Sequence, residues 1–382
     1  MRATFANIYL DNLRHNILEI KKIIPKATKI CIPVKADAYG HGAEAISKES
    51  LKCGVDYFAV AAVAEGVQLR QANISIPILV LSLPNPSEFD EIIDNNLTPV
   101  IFDSQLIEMF ATAAQKHNKV VSVHLKVDTG MGRIGCKIED ALSLAKEISN
   151  NKWLSLAGIF THFPVADSLD EKDKEYTLTQ IKSFNNLIQQ IKAEGINPGI
   201  CHCSNSAGIF CYPEACFDMV RPGLITYGYY PGDITAEYLN SIGKKVELKP
   251  VMELRSRIVA INHMEKGKSV SYGREWIATE DSYIGVLPLG YADGLLRNYG
   301  KNLLVAIEGK GYPICGRICM DQCMVYLGNT CSIERWHEVI VFGPKEKGAL
   351  QDASDIATRA NTIPYEVTCG IDKRVPRIYI GG

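Results

Sequence analysis

The sequence predicts an α/β fold: an N-terminal (β/α)8 barrel of the TIM type followed by a mostly β C-terminal domain. Three observations predict it. Short apolar runs that do not alternate with polar residues recur through the first part of the chain, as in parallel strands covered on both faces. Eight of these runs, separated by helical patterns, fall within about 230 residues, the number and span of a closed eight-stranded barrel. Beyond Gly232 the helical periodicity weakens, and strand candidates punctuated by Gly and Pro replace it.

Taken in order, the barrel strands are expected at Lys29–Lys35, Tyr57–Ala62, Pro77–Leu81, Thr98–Ile101, Val120–Val127, Leu154–His162, Gly199–Ser204 and Phe217–Val220. The clearest helices between them are Ser104–His117, Ile138–Ile148 and Asp173–Ala193. In the second domain, strands are expected at Met252–Ile261, Tyr283–Leu287, Leu303–Ile307 and Val339–Phe342, with one helix at Leu350–Asn361. The boundary falls near 232–246, giving domains 1–238 and 239–382, with the first few residues free to pair with the C-terminal domain.

Composition narrows the function classes. Of 382 residues 47% are hydrophobic and 22% charged, enough apolar material for one large or two moderate cores. The net charge of −2 and the lack of a long basic run argue against nucleic acid and anionic membranes as partners. No apolar stretch reaches the ~20 residues of a membrane span, and Met1 to Leu10 lacks the pattern of a signal peptide. The expected location is the cytoplasm. Twelve scattered cysteines then read as small buried hydrophobes. Neither Cys201-His-Cys203 with Cys211 and Cys216, nor Cys315, Cys319 and Cys323, has the paired CxxC spacing of structural zinc, so no metal is expected.

The segment most loaded with chemistry is Val34-Lys-Ala-Asp-Ala-Tyr-Gly-His-Gly42. Most lysines are solvated surface charges, but Lys35 follows Ile32-Pro33-Val34 at the end of a strand that should be buried. A buried lysine without a carboxylate partner is costly unless its charge is removed, and a Schiff base with an aldehyde cofactor is one way to remove it. Lys35, Arg133, His162, Asn205, Ser206 and Arg221 all follow or end predicted strands on the carboxyl face, where barrel enzymes place their sites. Ser206 and Gly223 lie in the loops after strands seven and eight, which often bind phosphate in this fold.

The lysine segment resembles the cofactor-lysine motif of the alanine racemase family. The resemblance recurs, in family order, at Val127-Asp-Thr-Gly-Met-Gly-Arg133, Thr161-His-Phe163, Asn205-Ser-Ala207, Val220-Arg-Pro-Gly223, Val270-Ser-Tyr-Gly273, Leu289-Gly-Tyr-Ala-Asp-Gly294, Gly316-Arg-Ile-Cys-Met-Asp-Gln322 and Pro364-Tyr-Glu366. It implies interconversion of L- and D-alanine with pyridoxal 5'-phosphate, by two bases, supplying D-alanine for bacterial cell-wall peptidoglycan. It also implies a homodimer with shared active sites. Racemisation of another small amino acid such as serine is the alternative, and Tyr365, which narrows the pocket, favours alanine.

The same resemblance assigns roles. Lys35 is one base and Tyr272, from the partner subunit, the other. Tyr39, Ser206, Gly223, Leu224 and Tyr365 hold the cofactor phosphate, with His162 and Asn205 also at the cofactor. Arg133 and Met320 take the substrate carboxylate and the cofactor oxygen side. Tyr291, Arg297, Arg317 and Tyr365 narrow the entrance, with Asp321 in support. Lys126 matches a lysine that many relatives carbamylate; an ordinary lysine or a bound anion beside it are the other readings. Arg221 matches the arginine that faces the cofactor's pyridine nitrogen. A permanent cation there keeps that nitrogen unprotonated and the electron sink weak, which favours racemisation over transamination. A barrel-type decarboxylase would place a glutamate there, and a single-barrel cofactor carrier would lack the second domain with Tyr272.

Overall fold

The computed structural model describes residues 2–382. Its first strand, β1 (Phe5–Tyr9), precedes the barrel. The barrel strands are β2 (Lys29–Pro33), β3 (Tyr57–Val60), β4 (Ile78–Val80), β5 (Thr98–Ile101), β6 (Val121–Lys126), β7 (Leu154–Phe160), β8 (Ile200–His202) and β9 (Met219–Val220). All pair in parallel, in the order β8-β7-β6-β5-β4-β3-β2-β9. Two backbone bonds draw the ends together: Asp218 N–H donates to the Cys201 carbonyl and Arg221 N–H to the Ser204 carbonyl, both at 3.0 Å. Cys31, Ala59, Leu79 and Met219, one from each of four strands, form a separate small cluster within the barrel. The apolar faces of the surrounding helices join the main core.

Each predicted barrel strand is present, and Thr98–Ile101 has the predicted limits. Several others stop short at the mouth, where the backbone leaves the ladder to form loops. β7 ends at Phe160 rather than His162, and β2 ends at Pro33 rather than Lys35. Asp170 and Asp352 set helix starts by accepting backbone N–H bonds from Lys172, and from Ser354 and Asp355, so those helices run Glu171–Ala193 and Ala353–Ala360.

The second sheet contains β10 (Met252–Arg257), β11 (Ala260–Met264), β14 (Ser282–Leu287), β15 (Leu304–Ile307), β16 (Lys310–Cys315), β17 (Cys323–Gly328), β18 (Glu338–Phe342) and β19 (Arg377–Ile380). The remaining two strands, β12 (Ser269–Val270) and β13 (Trp276–Ile277), pair only with each other. With β1 the large sheet has nine strands, ordered β11-β14-β17-β16-β15-β18-β10-β1-β19. The single strand expected over Met252–Ile261 is in fact two. Ile258 N–H bonds to His337 and Val259 N–H to Val286, so the chain changes partners from β18 to β14 at that corner. Among the described residues no helix is long and apolar enough to cross a membrane.

Candidate active site

Lys35 stands two residues past the end of β2. Beyond it, Ala36, Asp37, Ala38 and Tyr39 all have φ between 51° and 56°, one turn of left-handed helix. Such a residue costs roughly 1–2 kcal/mol, so neighbouring bonds must hold the turn. Glu65 supplies three: its carboxylate accepts the N–H of Ala36 at 2.6 Å, Ala61 at 2.8 Å and Ala62 at 3.1 Å. Asp37 accepts the Ala43 N–H at 2.7 Å. Gly40 closes the turn at φ 85°, where a Cβ would stand 2.1 Å from the Thr368 carbonyl. The turn sets Lys35 and Tyr39 on one wall of a cavity of about 430 Å³ at the barrel mouth.

The same cavity is lined by Arg221, buried, with no carboxylate in reach among the described residues. Nη1 donates to His202 Nδ1 at 2.6 Å, and Nη2 donates to His162 Nδ1 at 3.1 Å and to the carbonyls of Thr161 and Cys203. Arginine offers only donors, so both Nδ1 atoms must be bare acceptors. Both imidazoles are therefore neutral with their protons on Nε2. Burial first, and the Arg221 charge second, hold both well below the usual histidine range. His202 passes its Nε2 proton into a 2.9 Å bond with His124 Nδ1. His162 Nε2–H remains as a donor on a residue that lines the cavity.

Ser206 Oγ accepts the Gly223 N–H at 3.0 Å. A Cβ on Gly223 would sit 3.1 Å from Tyr39 Oη and 3.8 Å from Ser206 Oγ, in the space these groups frame. Asn205 caps the following turn through Gly208, and Leu224 is buried next to Gly223. Tyr365 forms the outer wall, its ring 5.4 Å from that of Tyr39, and burial pushes its hydroxyl up to about 12.

Four cations line the cavity, Lys35, Lys126, Arg133 and Arg221, against one carboxylate, Asp167. Burial, then the Arg133 charge, lowers the Lys35 amine below its usual value. Burial, then Arg221, pushes Lys126 down to about 7, and its Nζ donates to the Val127 carbonyl at 3.0 Å. Arg133 leaves a loop that Asp128 organises by accepting the N–H groups of Gly130, Met131 and Gly132 at 2.7–2.9 Å.

The remaining predicted residues do not reach this cavity within one chain. Tyr272 is 72% exposed, and Met320 and Tyr291 are also exposed. They form a second group on the β domain. Ser271 Oγ donates to the Arg317 carbonyl, and Arg317 pairs with Glu275. Tyr291 N–H bonds to Cys319 and Ala292 N–H to Met320. Arg297 and Arg317 line one shallow depression, and Asp321 accepts from Arg374 at 2.7 Å.

Sequence reasoning missed Glu65, Asp128, Asp167 and the His202–His124 pair. His202 was legible in principle, because it ends a barrel strand at the carboxyl face as His162 was expected to do.

A (β/α)8 barrel with a lysine of lowered basicity in a cation-lined mouth, and a β domain appended to it, defines a two-domain barrel enzyme whose site favours anionic groups. The models of the alanine racemase N-terminal and C-terminal domains match residues 8–231 and 251–379. The chain is 50% identical to the alanine racemase of Treponema denticola, over 100% of this chain and 99% of that one. To the alanine racemase of Treponema pallidum it is 43% identical, covering 100% of both. The solved alanine racemase of Clostridium difficile superposes with a TM-score of 0.92 at 39% identity, covering 100% of this chain and 96% of that one. The chain belongs to the alanine racemase family, which uses pyridoxal phosphate.

Proposed function

We propose that this chain interconverts L- and D-alanine with pyridoxal 5'-phosphate held on Lys35, as a homodimer whose two sites each draw on both subunits, and so supplies D-alanine for peptidoglycan. The observation that carries the reading is the grouping of Lys35, Arg221 and His162 in one cation-lined cavity. The cofactor phosphate and the substrate carboxylate are anions, and four cations face one acid there. The space that a Cβ on Gly223 would fill, framed by Tyr39 Oη and Ser206 Oγ, suits the phosphate. Arg221 Nε–H, with no protein acceptor among the described residues, suits the unprotonated ring nitrogen.

When bound, the cofactor supplies an aldehyde for amines and an electron-withdrawing ring that acidifies the α-proton. Lys35, its amine made less basic by burial and Arg133, is suited both to bond the aldehyde and to move the proton on one face. Tyr272 of the partner subunit serves the other. With Nδ1 committed to Arg221, His162 offers only a donor at Nε2, which can bond the hydroxyl oxygen of that tyrosine. Arg133 binds the substrate carboxylate, assisted by Met320 of the partner subunit at the cofactor's oxygen side. Asp321, Tyr291, Arg297 and Arg317 of the partner subunit join Tyr365 at a narrow entrance, which favours alanine over serine. Lys126, partly neutral near pH 7, has the amine form that takes up CO2 as a carbamate able to pair with Arg133. The twelve unpaired cysteines suit the reducing cytoplasm, where we place the enzyme.

The test is a racemisation assay across amino acids on wild type and Lys35→Ala. The wild type should show a visible absorbance band lost on borohydride treatment, and alanine should turn over fastest. Lys35→Ala should lose both band and turnover; retained covalent cofactor would sink the assignment.

A further inference from the structure

His41 lies outside the cavity and takes no part in the function proposed above. It is fully buried behind the lysine turn. A left-handed turn directs its carbonyls away from any continuing helix, so each needs its own donor. The Val34, Ala36 and Asp37 carbonyls receive the N–H groups of Ala38, Gly40 and Gly42, and Ala38 O receives that of His41. Gly40 O receives Arg377 Nε–H from β19 at 3.0 Å. Among the described residues, Tyr39 O receives no backbone N–H.

His41 Nδ1 meets this need, standing 3.0 Å from both the Ala38 and the Tyr39 carbonyl. Carbonyls only accept, so Nδ1 carries the proton and Nε2 is bare. Nε2 has no partner, so Nδ1 makes all of the ring's hydrogen bonds. The imidazole lies 4.7 Å from the Tyr227 ring, which lies 4.8 Å from Tyr39. Tyr227 Oη in turn donates to the Pro33 carbonyl at 2.8 Å, at the end of β2. One ring thus touches the turn on its far side and, through Tyr227, the strand that delivers Lys35.

We propose that His41 is a positioning residue: its Nδ1–H bonds to Ala38 and Tyr39, with its ring against Tyr227, hold the turn in the one geometry that presents Lys35 and Tyr39 to the cavity together. This rests on the reading of Lys35 as the cofactor lysine. Burial pushes the imidazole down to about 4, so it stays a neutral single donor at any working pH.

The test compares two variants of nearly the same shape as holoenzymes. His41→Asn places an amide N–H near the position of Nδ1–H, whereas His41→Leu, of nearly the same size, places no hydrogen-bonding group there. His41→Phe, which keeps a flat ring without a donor, is the third arm. Readouts are the visible cofactor band, the loss of cofactor on dilution, and kcat and KM for alanine measured separately. His41→Asn should keep the band and most of kcat. His41→Leu and His41→Phe should lose kcat by about tenfold or more, with KM for alanine little changed, and release cofactor faster. Where His41→Phe does not fold, the Asn and Leu pair decides. Equal behaviour of Asn and Leu, whether both active or both equally impaired, overturns the proposal. If wild type itself shows neither the borohydride-sensitive band nor racemisation, the reading of Lys35 falls and takes this role with it. If wild type shows both, a failure concerns His41 alone.

Discussion

Glu65→Gln removes one charge and one acceptor from the carboxylate that ties the lysine turn to the loop after β3. In the native chain Oε1 accepts from Ala36, and Oε2 accepts from both Ala61 and Ala62. A glutamine keeps one oxygen and turns an NH2 group toward N–H donors, so at least one bond becomes a donor facing a donor. Hydrogen bonds to charged groups contribute about 1.5–3 kcal/mol each when buried. Glu65 is half-buried, so water offsets part of that, and a net loss of about 2 kcal/mol is expected. The four left-handed residues together store more strain than any one bond returns, at roughly 1–2 kcal/mol each. Losing about 2 kcal/mol should therefore let the turn relax locally and withdraw Lys35. Urea unfolding followed by circular dichroism should show a lower midpoint at unchanged slope. Turnover of alanine should fall in parallel, while the helix content of the native protein stays the same. An unfolding free energy within about 0.3 kcal/mol of wild type together with unchanged turnover would refute the argument that Glu65 restrains the turn.

Three further outcomes are expected. Arg221→Glu should permit protonation of the cofactor ring and raise transamination relative to racemisation; an unchanged product ratio would show that the guanidinium does not face the ring nitrogen. Mixing Lys35→Ala with Tyr272→Ala chains, each nearly inactive alone, should restore roughly half of native activity in the hybrid dimers, because one of the two composite sites has both bases. No recovery would mean that both bases come from one chain. Lys126→Met should be more stable than wild type at pH 7 in bicarbonate-free buffer, by about 1–3 kcal/mol. The sign follows from a folded value of about 7 against 10.5 for an ordinary lysine: the unfolded chain holds the extra proton between them, so the cost is full below about 7 and fades as pH rises toward 10.5. Equal pH slopes for the two proteins would count against a bare amine in that site.

The barrel was readable because its strands are buried on both faces and so lose the alternation that exposed sheets keep. Burial of every residue in Thr98–Ile101 is the plainest case. The lysine turn was not readable. Ala36, Asp37, Ala38 and Tyr39 carry no mark of left-handed backbone, and the glycines that do come only at Gly40 and Gly42. What forces the conformation is Glu65 and His41, whose partners are backbone groups that no residue pattern announces. Asp128 is similar: three N–H groups converge on it because its loop folds around it. Tyr272 was placed at the site by resemblance to a family, and one chain leaves it 72% exposed on the β domain, apart from the cavity.

The strand β1 ties the two domains together in time as well as in space. It is synthesised before the barrel, yet it pairs with β10, Phe5 opposite Arg255, and with β19, Ala6 opposite Arg377. Its ladder therefore stays empty on one side until β10 has been made and on the other until β19 has, and closing such long loops is slow. The barrel can assemble while β1 waits, but the β domain cannot complete its nine-stranded sheet without it. The domains are then linked by two chain crossings, one at Tyr9–Leu10 and one between Val220 and Met252. A single linker would let them swing freely, whereas two adjacent crossings, joined where Tyr9 N–H bonds the Val251 carbonyl at 2.8 Å, form a stiffer two-stranded link. Removing the first nine residues would leave the facing edges of β10 and β19 bare, and such edges invite pairing with other chains.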